Sequence, residues 1–352
     1  MKFPLFIQLN TSTFGHFLTE SELYVKKTQT KRQRVYFYPQ KTISNSYWWA
    51  CILESEHTLP EIVGKILDRI FGLLFWRYKK AKSEFVKVSM TEYTSLKVHE
   101  DMPKIQFEAY ELEHGDQILR DAGFTGEKSI IGVCLRDEAY DALFGEKIVE
   151  AQRHRNMPLS DYIVYVDTIL NSGFSVLRFG RYGKTIINDS FGNFFDFSTK
   201  SRNNGDYLDF VLANKVKFFF STATGIDAVS FAMRKRVYKI NNFPVGSAYS
   251  TALSPLYLPQ DYFSIGTKFK ITLDEIYAKG FEDTRVGDLR RAGVMIQPKQ
   301  PQLVSAFMDV VMSIEKNLLS GSIKSSELIC ELDVVKEFCE RFQLERRNNV
   351  LY

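Results

Sequence analysis

The run Ser129-Ile130-Ile131-Gly132-Val133-Cys134-Leu135-Arg136-Asp137 decides the fold class. Its apolar residues show no helical spacing, and it ends abruptly in an arginine and an aspartate. That is the pattern of a short strand buried on both faces, as in a parallel sheet. Residues 174–179 (FSVLRF) and 216–221 (VKFFFS) read the same way, and 236–240 follows as another strand. Helical spacing fills the intervals at 159–172, 207–214 and 226–233. Strands alternating with helices of this length require right-handed crossovers and a mostly parallel sheet. The expected class is α/β.

Upstream, residues 5–9 read as a strand and 10–16 as a turn, with Leu18, Leu23 and Val25 on the apolar side of a helix. Val35-Tyr36-Phe37-Tyr38 is a strand stopped by Pro39. Periodicity near 3.6 residues returns over 60–78 through Ile62, Ile66, Ile70, Leu73 and Leu74, whereas 83–116 is polar and weakly periodic. Downstream, 303–319 and 325–342 read as helices. The economical division is an α/β domain over 1–125 and a larger one over 126–352 that includes the terminal helices.

A chain of 352 residues, 45% hydrophobic, supports a large interior and excludes wholesale disorder. Its 29 Phe and 18 Tyr are expected mainly to fill cores. The formal charge of +4 is too mild for a nucleic-acid binder. It suits a phosphorylated ligand or a peripheral contact with an anionic membrane face. The four cysteines form no C-x-x-C pair, and no nearby histidine completes a zinc pattern. Cys134, inside its apolar run, reads as a small buried hydrophobe, and a reducing, cytoplasmic compartment is expected. Neither a signal-peptide core nor a membrane-spanning stretch is visible.

In an open parallel sheet, ligands lie beyond the carboxyl ends of the strands. Those ends carry Arg136, Asp137 and Tyr140 after the first strand, and Arg178 and Gly180 after the second. Ser221, Thr222, Thr224 and Gly225 follow the third and open a helix. Two guanidinium forks and a helix start make a diphosphate cradle, each charge-assisted bond contributing about 1.5–3 kcal/mol. The plain alternatives are a surface pair of Arg136 with Asp137 or Glu138, and an ordinary helix cap at 221–225. His16, in the Gly15-His16 turn, could present a general base to an acceptor hydroxyl, or it could be a capping or packed histidine. No D-x-D triplet occurs, so leaving-group charge would fall to arginine and helix N-termini, without a metal. Residues 71–80 (FGLLFWRYKK) combine apolar and basic character as a membrane-surface helix does, but read more simply as a core helix with a solvated end. Arg234-Lys235-Arg236 reads as a solvated charge run.

In order along the chain, Gly15-His16, Glu22-Leu23-Tyr24, Arg136 to Tyr140, Arg155-Asn156, Arg178 to Gly180, Asp196 to Ser198, Ser221 to Gly225 and Asn242-Phe243-Pro244 form a familiar series. The chain thereby resembles a bacterial glycosyltransferase family of surface-polysaccharide gene clusters, and distantly the fucosyltransferase-type enzymes. The likeness is strongest over about 129–280. It implies a GT-B fold: two Rossmann-like domains facing a cleft, the first on the acceptor side, with C-terminal helices packing back. It also implies a nucleotide-sugar donor as substrate, no cofactor, no metal, and a glycan or lipid-linked acceptor. The expected donor-binding residues are Arg136, Tyr140, Arg178, Gly180, Ser221, Thr222, Thr224 and Gly225. Arg136, Asp137 and His16 are the expected catalytic residues. A cytoplasmic enzyme, in contact with the inner membrane at most peripherally, is the resulting expectation. The alternative is a non-catalytic glycan- or nucleotide-binding module on the same scaffold.

Overall fold

A computed structural model describes residues 4–11, 14–86, 105–138, 153–180, 193–198, 206–222, 224–247, 253, 255–323, 332–347 and 350–352. Tyr140 lies outside them. The N-terminal part runs β1 (Leu5–Gln8), α1 (Phe14–Lys31), β2 (Val35–Tyr38), α2 (Ser46–Ser55), α3 (Glu61–Leu74), α4 (Trp76–Val86) and α5 (Ala109–Asp121). Next come β3 (Ile130–Cys134), α6 (Leu159–Asn171), β4 (Ser175–Arg178), β5 (Phe194–Asp196), α7 (Leu208–Lys215), β6 (Phe218–Ser221), α8 (Asp227–Ala232), β7 (Arg236–Asn242) and β8 (Tyr257–Pro259). The chain closes with β9 (Asp261–Ser264), α9 (Leu273–Ala278), α10 (Val286–Arg291), β10 (Val294–Gln297), α11 (Pro301–Leu319), α12 (Asp333–Phe342), β11 (Arg346–Arg347) and β12 (Val350–Leu351).

Eight strands form the main sheet in the order β11-β12-β8-β7-β6-β3-β4-β5. From β5 across to β12 every pairing is parallel, and β11 alone runs antiparallel at the edge. The chain leaves β3 toward β4 and β5, then returns past β3 to lay down β6, β7 and β8. The direction of winding therefore reverses between β3 and β6, the place where open α/β sheets carry their ligand crevice, beyond the carboxyl ends of the strands.

Period-two alternation sends Ile131, Val133, Phe218 and Phe220 to one face, beneath α6, α11 and α12. Cys134, Leu177 and Phe219 take the other face, beneath α1, α5, α7 and α8. Gly132 is needed because the Phe219 ring crosses it: a Cβ there would fall 2.2 Å from that ring. Each buried phenylalanine stabilises the fold by roughly 1.5–3 kcal/mol. The terminal helices thus pack back on the sheet as expected, and Cys134 is the buried hydrophobe its sequence context implies.

The N-terminal part holds a smaller parallel pair, β1–β2, with a single parallel bridge from Phe37 to Thr58. It shares one core with the second face of the main sheet. Trp48 stacks on Phe210 at 5.8 Å, and Asp206 accepts from the Ser46 backbone at 2.6 Å and hydroxyl at 2.8 Å. Two sequence expectations change. The helix expected over 60–78 breaks at Phe75, whose extended backbone separates α3 from α4. The charge run 234–236 is half-buried, and each cation has a protein partner. Arg234 meets Glu22 at 3.0 Å, Lys235 meets the Asn214 carbonyl at 2.7 Å, and Arg236 grips Glu315 through two bonds of 2.5 and 2.6 Å.

Candidate active site

The crevice residues come from the ends of β3, β6 and β7 and from the start of α1. Arg136 leaves β3 buried, at 9% exposure. Its Nε donates to Asn156 Oδ1 at 2.9 Å, and its backbone N–H donates to Thr222 Oγ1 at 3.1 Å. Asn156 stands beside Arg136 because the Met157 N–H returns to the Arg136 carbonyl at 2.9 Å. The Arg-Asn pair met in the sequence, Arg155-Asn156, becomes the orienting partner of an arginine about twenty positions earlier.

Arg178 occupies a different setting. At 1% exposure, its guanidinium bonds Asp137 at 2.6 Å and Asp196 at 2.9 Å and lies over the Tyr162 ring at 4.7 Å. Burial works against the charge, but Tyr162, Asp196 and Asp137 outweigh it and hold the group above its usual range. Asp196 is fixed in turn by Ser198, whose N–H and hydroxyl donate to it at 3.0 and 2.5 Å. Gly180 runs against Ser198, where a Cβ would fall 3.1 Å from the serine Cβ. The arginine placed in the donor cradle by sequence is thus committed to two carboxylates, one of them the expected base Asp137.

The turn after β6 is closed on itself. Ser221 and Thr224 both donate to Asp227 Oδ1, the latter at 3.0 Å. The Asp227 carboxylate, on the first residue of α8, thereby takes up both hydroxyls of the turn. Asp227 approaches Lys239 at 3.7 Å, and the lysine lies over Phe231 at 5.6 Å. Burial pushes the Asp227 carboxyl up, against the pull of Lys239, Ser221, Thr224 and Arg155. Burial also pushes the Lys239 ammonium down, against Asp227, with Arg155 lowering it further. Both partners are moved toward their neutral forms.

Gly225 in this turn meets Gly15 at the start of α1. A Cβ on Gly15 would fall 2.8 Å from the Gly225 Cα, so the two backbones touch directly. Residue 16 stands in the first turn of α1. Gly15 and Gly225, about two hundred positions apart in the sequence, are therefore neighbours.

Asp227 and Lys239 escaped the sequence reading although both carry a signal. Thr224-x-x-Asp227 is a hydroxyl–acid spacing typical of a helix start. Lys239 interrupts the apolar centre of its strand, between Val237-Tyr238 and Ile240. Beyond them, Gln260 donates to the carbonyls of His154 at 2.6 Å and Asn241 at 3.1 Å, tying the segment after β8 to the crevice floor. Among the described residues, no group of three His, Cys, Asp or Glu side chains could hold a metal ion.

No protein-family profile and no curated protein matches the chain. Among solved structures it is similar to the ADP-heptose lipopolysaccharide heptosyltransferase II of E. coli, at 14% identity and TM-score 0.39 over 68% of this chain and 84% of that one. A glycosyl transferase of family 9 from Veillonella parvula matches at 8% identity and TM-score 0.38, over 67% and 80% of the two chains. TibC, an iron-containing dodecameric glycosyltransferase of enterotoxigenic E. coli, matches at 11% identity and TM-score 0.36, over 73% and 62%. Overlaps of this size leave the chemistry to be argued from the crevice itself.

Proposed function

We propose that the chain transfers a glycosyl group from a nucleotide-sugar donor to a glycan or lipid-linked acceptor of a bacterial surface polysaccharide. The observation that carries this reading is the buried Arg136, held by Asn156 and Thr222 at the point where the sheet reverses its winding. A fixed guanidinium there meets the charge that develops on a leaving diphosphate, and the transfer needs no metal. The acceptor hydroxyl forms the new C–O bond as the sugar–phosphate bond breaks, and its proton passes to a base. Of the two candidate bases, Asp137 is engaged by Arg178, so the reading assigns the role to His16 and makes Asp137 and Arg178 positioning residues. Thr222 stays in the donor site through its bond to Arg136. Ser221, Thr224 and Gly225 shape its floor, and Gly180 keeps the Arg178 side compact.

A nucleotide-binding module without transfer is the second reading, favoured by the commitment of Asp137, Ser221 and Thr224 to internal partners.

Thermal unfolding with UDP, GDP, CMP and ADP, each with and without magnesium, tests the donor site. A nucleotide at about 100 times its Kd stabilises the native state by roughly 2.7 kcal/mol. The expected result is a magnesium-independent shift from one nucleotide, lost in Arg136→Ala. Silence from the whole panel would sink the donor-site assignment. Binding without transfer across the matching sugar donors would select the second reading.

A further inference from the structure

Helix α3 shows its apolar side to solvent. Its inner side is accounted for: Gly64 lies under Tyr38, where a Cβ would fall 2.3 Å from the ring. Leu67 and Phe71 pack on the N-terminal core, and Asp68 accepts from Tyr78 and Lys82, each at 2.6 Å. A surface helix anchored in this way should be polar on the opposite side. Instead Ile62, Ile66 and Leu73 stand there, 71%, 51% and 82% exposed, with Ile70 at 43% and Leu74 at 68% beside them. The core assignment that the sequence favoured for 71–80 does not hold at Leu73 and Leu74. A continuous apolar stripe of this kind marks an interaction surface.

We propose that α3 and the start of α4 form a docking face for an anionic lipid bilayer. The charge pattern selects this occupant. Residues 61–86 carry six Lys and Arg against three Asp and Glu, in a chain whose whole formal charge is +4. Lys65 and Arg69 flank the stripe, and Arg77, Lys79 and Lys80 follow where α4 begins, all exposed. Lying in the plane of the interface, the helix places its isoleucines and leucines among the acyl chains and its cations at the headgroup phosphates. No helix of the described residues is long and apolar enough to cross a membrane, so the contact is parallel to the surface. A second copy of the chain is a poor occupant, because a two-fold contact through this stripe would bring like-charged rims together.

This proposal uses neither Arg136 nor the crevice, so its failure is separate from that of the transferase reading. The test is flotation of the full chain with phosphatidylglycerol–phosphatidylcholine vesicles against phosphatidylcholine alone. The chain is expected to float with the anionic vesicles, less so as salt is raised. The double variant Ile66→Asp/Leu73→Asp, at exposed positions, should lose about tenfold or more of that partitioning while keeping its unfolding temperature. Lys79→Glu/Lys80→Glu should weaken binding to the anionic vesicles. Absence of partitioning, equal binding to both vesicle types, or unchanged binding of the double variant would overturn the proposal. So would lipid-free self-association abolished by the double variant, which would assign the face to a second copy.

Discussion

Two buried charge clusters stand at neighbouring strand ends and behave in opposite ways. At β4 and β5, Arg178 is locked between Asp137 and Asp196 at 2.6 and 2.9 Å, and its charge is held above the usual range. At β6 and β7, Asp227 and Lys239 are 3.7 Å apart, and burial moves both toward neutrality. Both remove a cation and carboxylate from water, two carboxylates in the first cluster and one in the second. What differs is contact. Two short, charge-assisted bonds repay desolvation, whereas the longer approach of Lys239 to Asp227 does not. The first cluster is a fixed brace, and the second is a pair that burial moves toward neutrality.

The largest effect should come from breaking the brace. Arg178→Met strands two buried carboxylates and should lower unfolding free energy by about 3–5 kcal/mol, measured by urea titration. A loss below about 1 kcal/mol, typical of an exposed pair, would show that the brace is not structural. Next, Arg136→Ala should reduce turnover by roughly 10²–10³-fold while leaving the fold intact, as removal of a preorganised charge stabiliser does. Should Arg178→Met fold normally yet abolish nucleotide binding while Arg136→Ala binds normally, the roles assigned to the two arginines would be exchanged.

A smaller effect is expected where α1 meets the turn that contains Asp227. Gly15→Ala forces a methyl into the Gly225 backbone and should cost about 1–3 kcal/mol. Gly225→Ala meets its nearest atom, the Gly15 N, at 3.4 Å and should cost less. Comparable melting temperatures for the two variants would contradict the close approach.

The smallest and most diagnostic effect is on pH dependence. A carboxyl raised by burial stabilises the fold fully below its unfolded value of about 3.9, and that contribution is lost as pH rises through the folded value. Asp227→Asn removes this loss. The stability difference between variant and parent should therefore move in the variant's favour as pH rises above about 4, read from urea midpoints. A difference that stays flat would mean that Asp227 is charged normally and that the two clusters are alike.

The sheet was legible because burial on both faces leaves a compositional mark. Ile130 to Leu135 and Phe218-Phe219-Phe220 can be little else, and β2 was delimited by Pro39. The short strands β8, β12 and β11 on one side of the sheet left no such mark, being mixed in composition. In the site, the positions of Arg136 and Thr222 at strand ends followed from the α/β rule. Their partners did not. A sequence shows that Arg178 ends a strand but not that Asp137 and Asp196 close around it, since those contacts span 41 and 18 positions. The exposure of α3 was hidden for the same reason: its periodicity is that of a core helix, and only packing decides which side is covered.

By itself the sequence determined the α/β class, the parallel strands and the end of the sheet at which polar residues gather. These follow from local periodicity and from the chirality of crossovers, which act over a few residues at a time. Tertiary structure decided which arginine braces and which faces the crevice, which ionisable pair burial moves toward neutrality, and which apolar helix meets solvent. Those outcomes depend on desolvation and on contacts between segments far apart in the chain, and no local pattern encodes them.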